Sequence, residues 1–333
     1  MAKQYDIYGI GAALVDTEIT VTDDDLTAMG VDKGVMTLVD EERQHEIIGY
    51  LQDHLVASQR ASGGSGANTI IAAGYFGCHN FYSCKVANDD NGSFYLQDIK
   101  DAKVSYPTHV GQDEGITGKC LVMITPDAER TMNTFLGLSA TVSTTELDED
   151  AISASQWSYI EGYLVSSDTG REAAIKLRQL SEQHNTKVAL SLSDPAMVQF
   201  FKDGLTEMIG GGVDLLFCNR DEALGFTQTE NIDDAIIELQ RCAKTFAITL
   251  GAEGSLVFDG TDLMSIPTAK AKAIDTNGAG DMYAGAFLYA LSQGEGYERA
   301  GRFANLAATK VVTQYGPRLK AEQHQELKTA FFG

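Results

Sequence analysis

Basic residues are scarce in this 333-residue chain: 25 Lys and Arg stand against 47 Asp and Glu, a formal net charge of −22. That imbalance argues against a nucleic-acid or anionic-membrane surface, because polyanions are gripped by clustered Lys and Arg. It leaves an acidic, solvated exterior, on which any positive field for an anionic ligand is local, made by backbone amides and a few basic side chains. Cysteine is also sparse. Cys78, Cys84, Cys120, Cys218 and Cys242 are odd in number and form no CxxC pair, and most lie in apolar surroundings. They are expected to be reduced thiols in a reducing cytosol. The six histidines show neither HExxH nor Cys/His ligand spacing, so a structural zinc site is not expected. No apolar run approaches the length of a membrane span, and Met1-Ala2-Lys3-Gln4-Tyr5-Asp6 runs into a strand without a signal peptide. The expectation is a cytoplasmic protein with neither nucleic acid nor membrane as partner.

What is present is an ordinary globular composition, 44% apolar and 22% charged. Tyr5 to Ile10 reads as a buried strand. Residues 17 to 40 and 103 to 136 alternate in the manner of exposed strands, and Glu41 to Leu55 reads as an amphipathic helix capped by Asp40. From Trp157 onward strands alternate with helices, which implies a parallel sheet covered on both faces. The strands drawn are Tyr159 to Leu164, Val188 to Leu192, Leu215 to Cys218, Ala247 to Leu250 and Ser255 to Phe258. Helices fall near Gly170 to Gln183, Asp233 to Ala243, Asp281 to Ser292 and Glu298 to Thr313. With no low-complexity linker and no internal repeat, the fold class expected is α/β: one doubly wound core rather than two independent domains.

The stretch that carries chemistry is Asp275-Thr276-Asn277-Gly278-Ala279-Gly280-Asp281, a two-glycine turn running into an apolar helix. A helix start of this kind offers free amides and the positive end of the helix dipole to an anion, and glycines let the backbone approach it closely. Asp281 is out of place there unless it takes a proton from the group attacking a phosphate. That combination points to phosphoryl transfer to a hydroxyl, although a capping aspartate after a plain turn is the bland alternative. Two other glycine patterns are decoys. Gly9-Ile10-Gly11-Ala12-Ala13-Leu14 lacks the third glycine of a dinucleotide fingerprint, and Gly118-Lys119-Cys120 lacks the Ser or Thr that follows a phosphate-loop lysine.

The turn matches the D-T-x-G-A-G-D motif of the PfkB (ribokinase-like) sugar and nucleoside kinases at every fixed position. Far upstream, Gly63-Gly64-Ser65-Gly66-Ala67-Asn68 resembles that family's N-terminal glycine pair followed by Asn and a helix. The resemblance runs over nearly the whole chain and leans toward the adenosine-kinase branch. It implies a ribokinase-like doubly wound sheet, residues 1–333 as a single kinase domain, with lid segments at about 17–40 and 103–136. It further implies Asp281 as general base, the backbone of Gly278, Ala279 and Gly280 as anion hole, and Arg130 reaching from the lid toward the phosphates. Asp16, Gly63, Gly64 and Asn68 would grip acceptor hydroxyls, with Tyr163 as an aromatic wall. Asn219 and Glu222 match the N-x-x-E motif that organises Mg²⁺ through water. Thr249, Gly251 and Gly254 would cover the nucleotide phosphates, and Asn305 would face the nucleotide base. Asp275 would help hold a K⁺ ion. Ala12 and Glu253 depart from the pattern, since relatives usually carry Asn and often Lys there, which leaves the exact acceptor open. The function implied is an ATP-dependent kinase for a nucleoside, adenosine first. The alternatives are a kinase for ribose, fructose or a related sugar, and a non-catalytic regulator that binds a sugar or nucleotide. A monomer and a homodimer are both compatible with the sequence.

Overall fold

The computed structural model describes residues 3–52, 59–127 and 129–333. Its larger sheet has nine strands, in spatial order Leu263–Ile266, Ser255–Phe258, Ala243–Thr249, Val213–Asn219, Lys187–Ser191, Ser155–Glu161, Tyr5–Ile10, Asn80–Ser83 and Val104–Ser105. From Ala243–Thr249 to Val104–Ser105 every neighbouring pair is parallel; the hairpin at the other edge pairs antiparallel. A parallel sheet must be covered on both faces, and two apolar layers do so. One packs Ile70, Phe76, Phe287 and Phe303 against one face, and the other packs Leu177, Leu205, Leu216 and Phe246 on the opposite side.

The helices Ser65–Phe76 and Ala279–Ser292 lie against each other within the first layer. Their contact is close because Gly285 has no side chain: a Cβ there would stand 2.5 Å from the carbonyl oxygen of Thr69. Both helices begin at a glycine with positive φ, Gly64 at 94° and Gly278 at 73°, and neither start carries a capping side chain. Most of the other helices do carry one, including those capped by Asp40, Asp89, Ser167, Asp194 and Asn219. A Cβ on Gly278 would lie 2.3 Å from the carbonyl oxygen of Pro317, and one on Gly64 would lie 2.4 Å from that of Ala12. Both positions are therefore closed to other residues by backbone conformation as well as by space.

A second sheet of five strands, in the order Met36–Leu38, Arg130–Gly137, Thr117–Ile124, Leu14–Thr20 and Gln59–Gly63, stands apart from the first. Several sequence boundaries shift here. Residues 23–29 of the expected 17–40 strand set form a helix, because Thr22 and Asp25 close a capping box and three aspartates fill its first turn. Val104–Ser105 joins the edge of the large sheet, so residue 103 is not where the small sheet begins. The helix begun by Asp40 is described for Glu41–Tyr50; residues 53 to 55 of the expected span lie outside the described residues, as do Met1 and Ala2. The strand expected to run to Leu164 ends at Glu161, where Gly162 opens a tight 3₁₀ turn. The helix expected to reach Ala243 ends at Leu239, and Ala243 already belongs to the next strand. No helix among the described residues is long and apolar enough to cross a membrane.

Candidate active site

A cavity of about 520 Å³ opens at the carboxyl ends of the parallel strands, roofed by the small sheet. This is where an open α/β sheet places its ligands, since the loops after the strands diverge there. Its floor carries Asp281, on the first turn of the helix Ala279–Ser292. Ser65 Oγ donates to Asp281 Oδ1 at 2.6 Å and Asn68 Nδ2 donates to Oδ2 at 3.1 Å. Two glycine-led helix starts far apart in the chain thus meet on one carboxylate. Enclosure in the cavity pushes Asp281 up to about 6, and the two hydrogen bonds hold it from rising further.

Asp16 leaves the small sheet toward the same floor, and burial raises it to about 7, against the pull of Arg318 and Arg130. Gly63 sits behind it, where a Cβ would fall 2.1 Å from Asp16 Oδ1. Gly64 and Asn68 line the cavity, and Asn68 Oδ1 is buried without a hydrogen-bond partner. Tyr163 forms part of the wall, with its hydroxyl donating to Asp194 Oδ2 at 3.3 Å. Asn219 and Glu222 close a capping box: Asn219 N and Nδ2 donate to Glu222 at 3.0 and 2.7 Å, and Glu222 N donates back at 2.8 Å. Both also line the cavity, and burial lifts Glu222 to about 7.

Gly278, Ala279, Gly280, Thr249 and Gly251 are on the wall as well. Gly254 is not; it closes the turn behind it, accepting from Leu250 N at 2.8 Å. Asn305 departs from its expected place. It is 5% exposed and lies outside the cavity lining, and its Nδ2 donates to Ile266 O at 2.8 Å, so its amide ties a helix to the edge hairpin. Arg130 and Asp275 are also away from the wall and are paired with each other, Arg130 Nη2 lying 2.7 Å from Asp275 Oδ2. In this structure the arginine does not point into the cavity.

Three groups at the site escaped sequence reasoning. Glu161 is 1% exposed, accepts from Gly66 N at 2.9 Å and Ala12 N at 3.1 Å, and is pushed by burial to about 8. Ser65 hides inside the glycine turn. Asp194 follows Ser193, a non-glycine residue with φ of 71°, and such left-handed backbone at a cavity rim was a signal only coordinates could give.

The roof is apolar. Leu14, Met36, Leu38, Met132 and Leu136 face the cavity from the small sheet, opposite a floor of carboxylates. The cavity thus offers a ligand one polar surface and one apolar surface.

The pfkB family carbohydrate kinase profile matches residues 31–324. The adenosine kinase of Saccharomyces cerevisiae is 27% identical, with 94% of this chain and 96% of that protein aligned. A ribokinase of Staphylococcus aureus is 26% identical over 79% of this chain and 86% of its own length. The crystal structure of adenosine kinase from Sinorhizobium meliloti superposes with a TM-score of 0.89 at 32% identity, covering 98% of this chain and 99% of that one.

Proposed function

We propose that this chain, which belongs to the pfkB family of carbohydrate kinases and is an ATP-dependent phosphotransferase, acts on the 5′-hydroxyl of a nucleoside, with adenosine as the expected acceptor. The observation that carries this reading is the apolar roof of Leu14, Met36, Leu38, Met132 and Leu136 over a floor of Asp16, Asn68 and Asp281. A free sugar carries hydroxyls around its whole rim and would desolvate them against that roof. A nucleoside has a ribose for the floor and a flat base for the roof, with Tyr163 as an aromatic neighbour.

In the proposed reaction Asp281 accepts the proton of the acceptor hydroxyl as its oxygen bonds to the γ-phosphorus of ATP. The bond from that phosphorus to the β,γ-bridging oxygen breaks, and ADP leaves with the oxygen. Asp16 and Asn68 orient the sugar, and the unpaired Asn68 Oδ1 supplies an acceptor for a ribose hydroxyl. The uncapped helix start at Gly278, Ala279 and Gly280 faces the charge on the transferring group. Thr249 and Gly251 are placed to run along the nucleotide phosphates. Mg²⁺ fits Asn219 and Glu222 as a hydrated ion: their atoms are engaged with each other, yet each carboxylate oxygen accepts only one hydrogen bond and keeps a lone pair for a water of the ion's shell. When bound with ATP it would neutralise phosphate charge.

ADP release assayed over a panel of nucleosides and free sugars tests the acceptor. The expected outcome is kcat/KM for adenosine at least about 100-fold above ribose and fructose, since a base-sized apolar contact is worth that much discrimination. A preference for a free sugar overturns the nucleoside reading and leaves a sugar kinase of the same family.

A further inference from the structure

The sequence resemblance attaches a monovalent cation to Asp275, and the donors around that carboxylate do not fit one. We propose instead that the guanidinium of Arg130 is the fixed cation of the anion-hole loop, so that phosphoryl transfer by this chain needs no K⁺. The inference rests on the phosphotransferase activity of the family and not on which acceptor is used.

Arg130 opens the strand Arg130–Gly137 of the small sheet and sends its side chain to the loop that carries Asp275. Its Nη2 lies 2.7 Å from Asp275 Oδ2 and 3.1 Å from Glu18 Oε1. The side chains of Arg130 and Asp275 are 8% and 3% exposed. Beside this ion pair Asp275 accepts two backbone hydrogen bonds. Asn277 N reaches Oδ1 at 3.0 Å, and Gly316 N reaches Oδ2 at 2.8 Å. Oδ2 therefore accepts one backbone hydrogen bond and lies at 2.7 Å from a full positive charge. A metal cation added to this carboxylate would lie within a few ångström of the guanidinium and be repelled by it in a poorly solvated place.

The arginine is also placed for its charge rather than for its count of hydrogen bonds. Its Nε and Nη1 are buried and have no partner, so the two carboxylates at Nη2 set its position. The consequence for the loop is direct. Asp275 fastens the loop at Asn277 and at Gly316, and a bare carboxylate at that point would repel the nucleotide phosphates that the amides of residues 278–281 are to receive. Arg130, shared with Glu18, offsets part of that charge and joins the small sheet to the loop. It is a positioning residue, acting through Asp275.

The test uses the full-length chain in tetramethylammonium chloride and in KCl, each about 100 mM so that screening is equal. ATP affinity by calorimetry without acceptor is measured beside turnover, so that a wrong choice of acceptor leaves the first readout intact. The wild type is expected to change less than about twofold between the two salts in both readouts. Arg130→Gln is expected to lose roughly tenfold or more in tetramethylammonium and to recover in part on adding K⁺ or millimolar guanidinium, while Arg130→Lys retains most of the wild-type value. Activation of the wild type by K⁺ by about fivefold or more overturns the proposal. So does an Arg130→Gln protein that loses nothing, or one that folds by circular dichroism and is rescued by neither cation. Should that variant not fold, the cation response of the wild type decides alone.

Discussion

At the scale of single residues the site is a carboxylate problem. Five acids, Asp16, Glu161, Asp194, Glu222 and Asp281, line one cavity, and burial raises Asp16, Glu161, Glu222 and Asp281. Only Asp281 is held by two neutral donors from another helix start, and these hydrogen bonds keep its carboxyl from rising as far as burial alone would take it. Asp281→Asn keeps the shape and removes the base. It is expected to cost about 10²–10⁴-fold in kcat, with ATP affinity by calorimetry within about threefold of wild type. Turnover near the wild-type rate would remove Asp281 from the mechanism. Glu161 makes a separate prediction. Its folded value of about 8 stands above the ordinary 4.5, so the native state holds a proton there that the unfolded chain has released. Its contribution to stability is full below the unfolded value and is lost as pH rises through about 8. Glu161→Gln, neutral at every pH, should therefore melt a few degrees above wild type near about pH 9, roughly 1–3 kcal/mol, with the gap opening between about pH 4.5 and 8 and closing toward about 4.5. Buried His324, whose pKa burial lowers from 6.5 to about 4, titrates in part of the same window, but it is common to both proteins and cancels in the difference between them. A gap that grew on acidification would contradict the burial argument.

At the scale of elements, the site is made by two helices that approach at Gly285. The sequence disclosed both helix starts because their chemistry is local: a glycine, a turn and a polar residue one or four positions on are visible in a few letters. It did not disclose what depends on distant partners. Glu161 stands at the end of a strand buried on both faces, where no alternation marks the last residue, and the reading ran on to Leu164. Arg130 was read toward the phosphates because its partner Asp275 lies far along the chain. Asn305 was read toward a base although its amide satisfies a backbone carbonyl. The crossing itself was equally hidden, since nothing in the sequence says which backbone meets Gly285. Gly285→Ala puts a methyl group 2.5 Å from Thr69 O and 3.0 Å from the Ala72 Cβ, so the helices must part. The expected cost is about 1–3 kcal/mol in urea melts, together with a fall of about tenfold in kcat as Asp281 moves relative to Ser65 and Asn68. Gly49→Ala on an exposed helix, where a Cβ meets nothing within 4 Å, is the control and should be neutral or slightly stabilising. Equal behaviour of the two variants would mean that the crossing does not set the site.

At the scale of the whole molecule, a chain of net charge −22 has to receive a nucleotide that is itself an anion. The structure places five carboxylates in the cavity and turns Arg130 away into an ion pair; on the proposed reading, attraction to the phosphates then comes from backbone amides at a helix start, whose reach is one turn. Over longer distances the field of the protein is repulsive. Repulsion between exposed charges is screened over about 10 Å at 0.1 M salt, whereas the contacts of amides with a bound phosphate are made at van der Waals range and are hardly screened. Association should therefore be helped by salt while the chemical step is not. Raising NaCl from about 20 to about 200 mM at fixed Mg²⁺ is expected to lower KM for ATP about twofold or more and to leave kcat unchanged. Most nucleotide sites built on basic side chains respond in the opposite sense, because salt screens their attraction. A KM for ATP that rises with NaCl would place a basic surface at the mouth of the cavity and would refute a purely local, amide-based anion site.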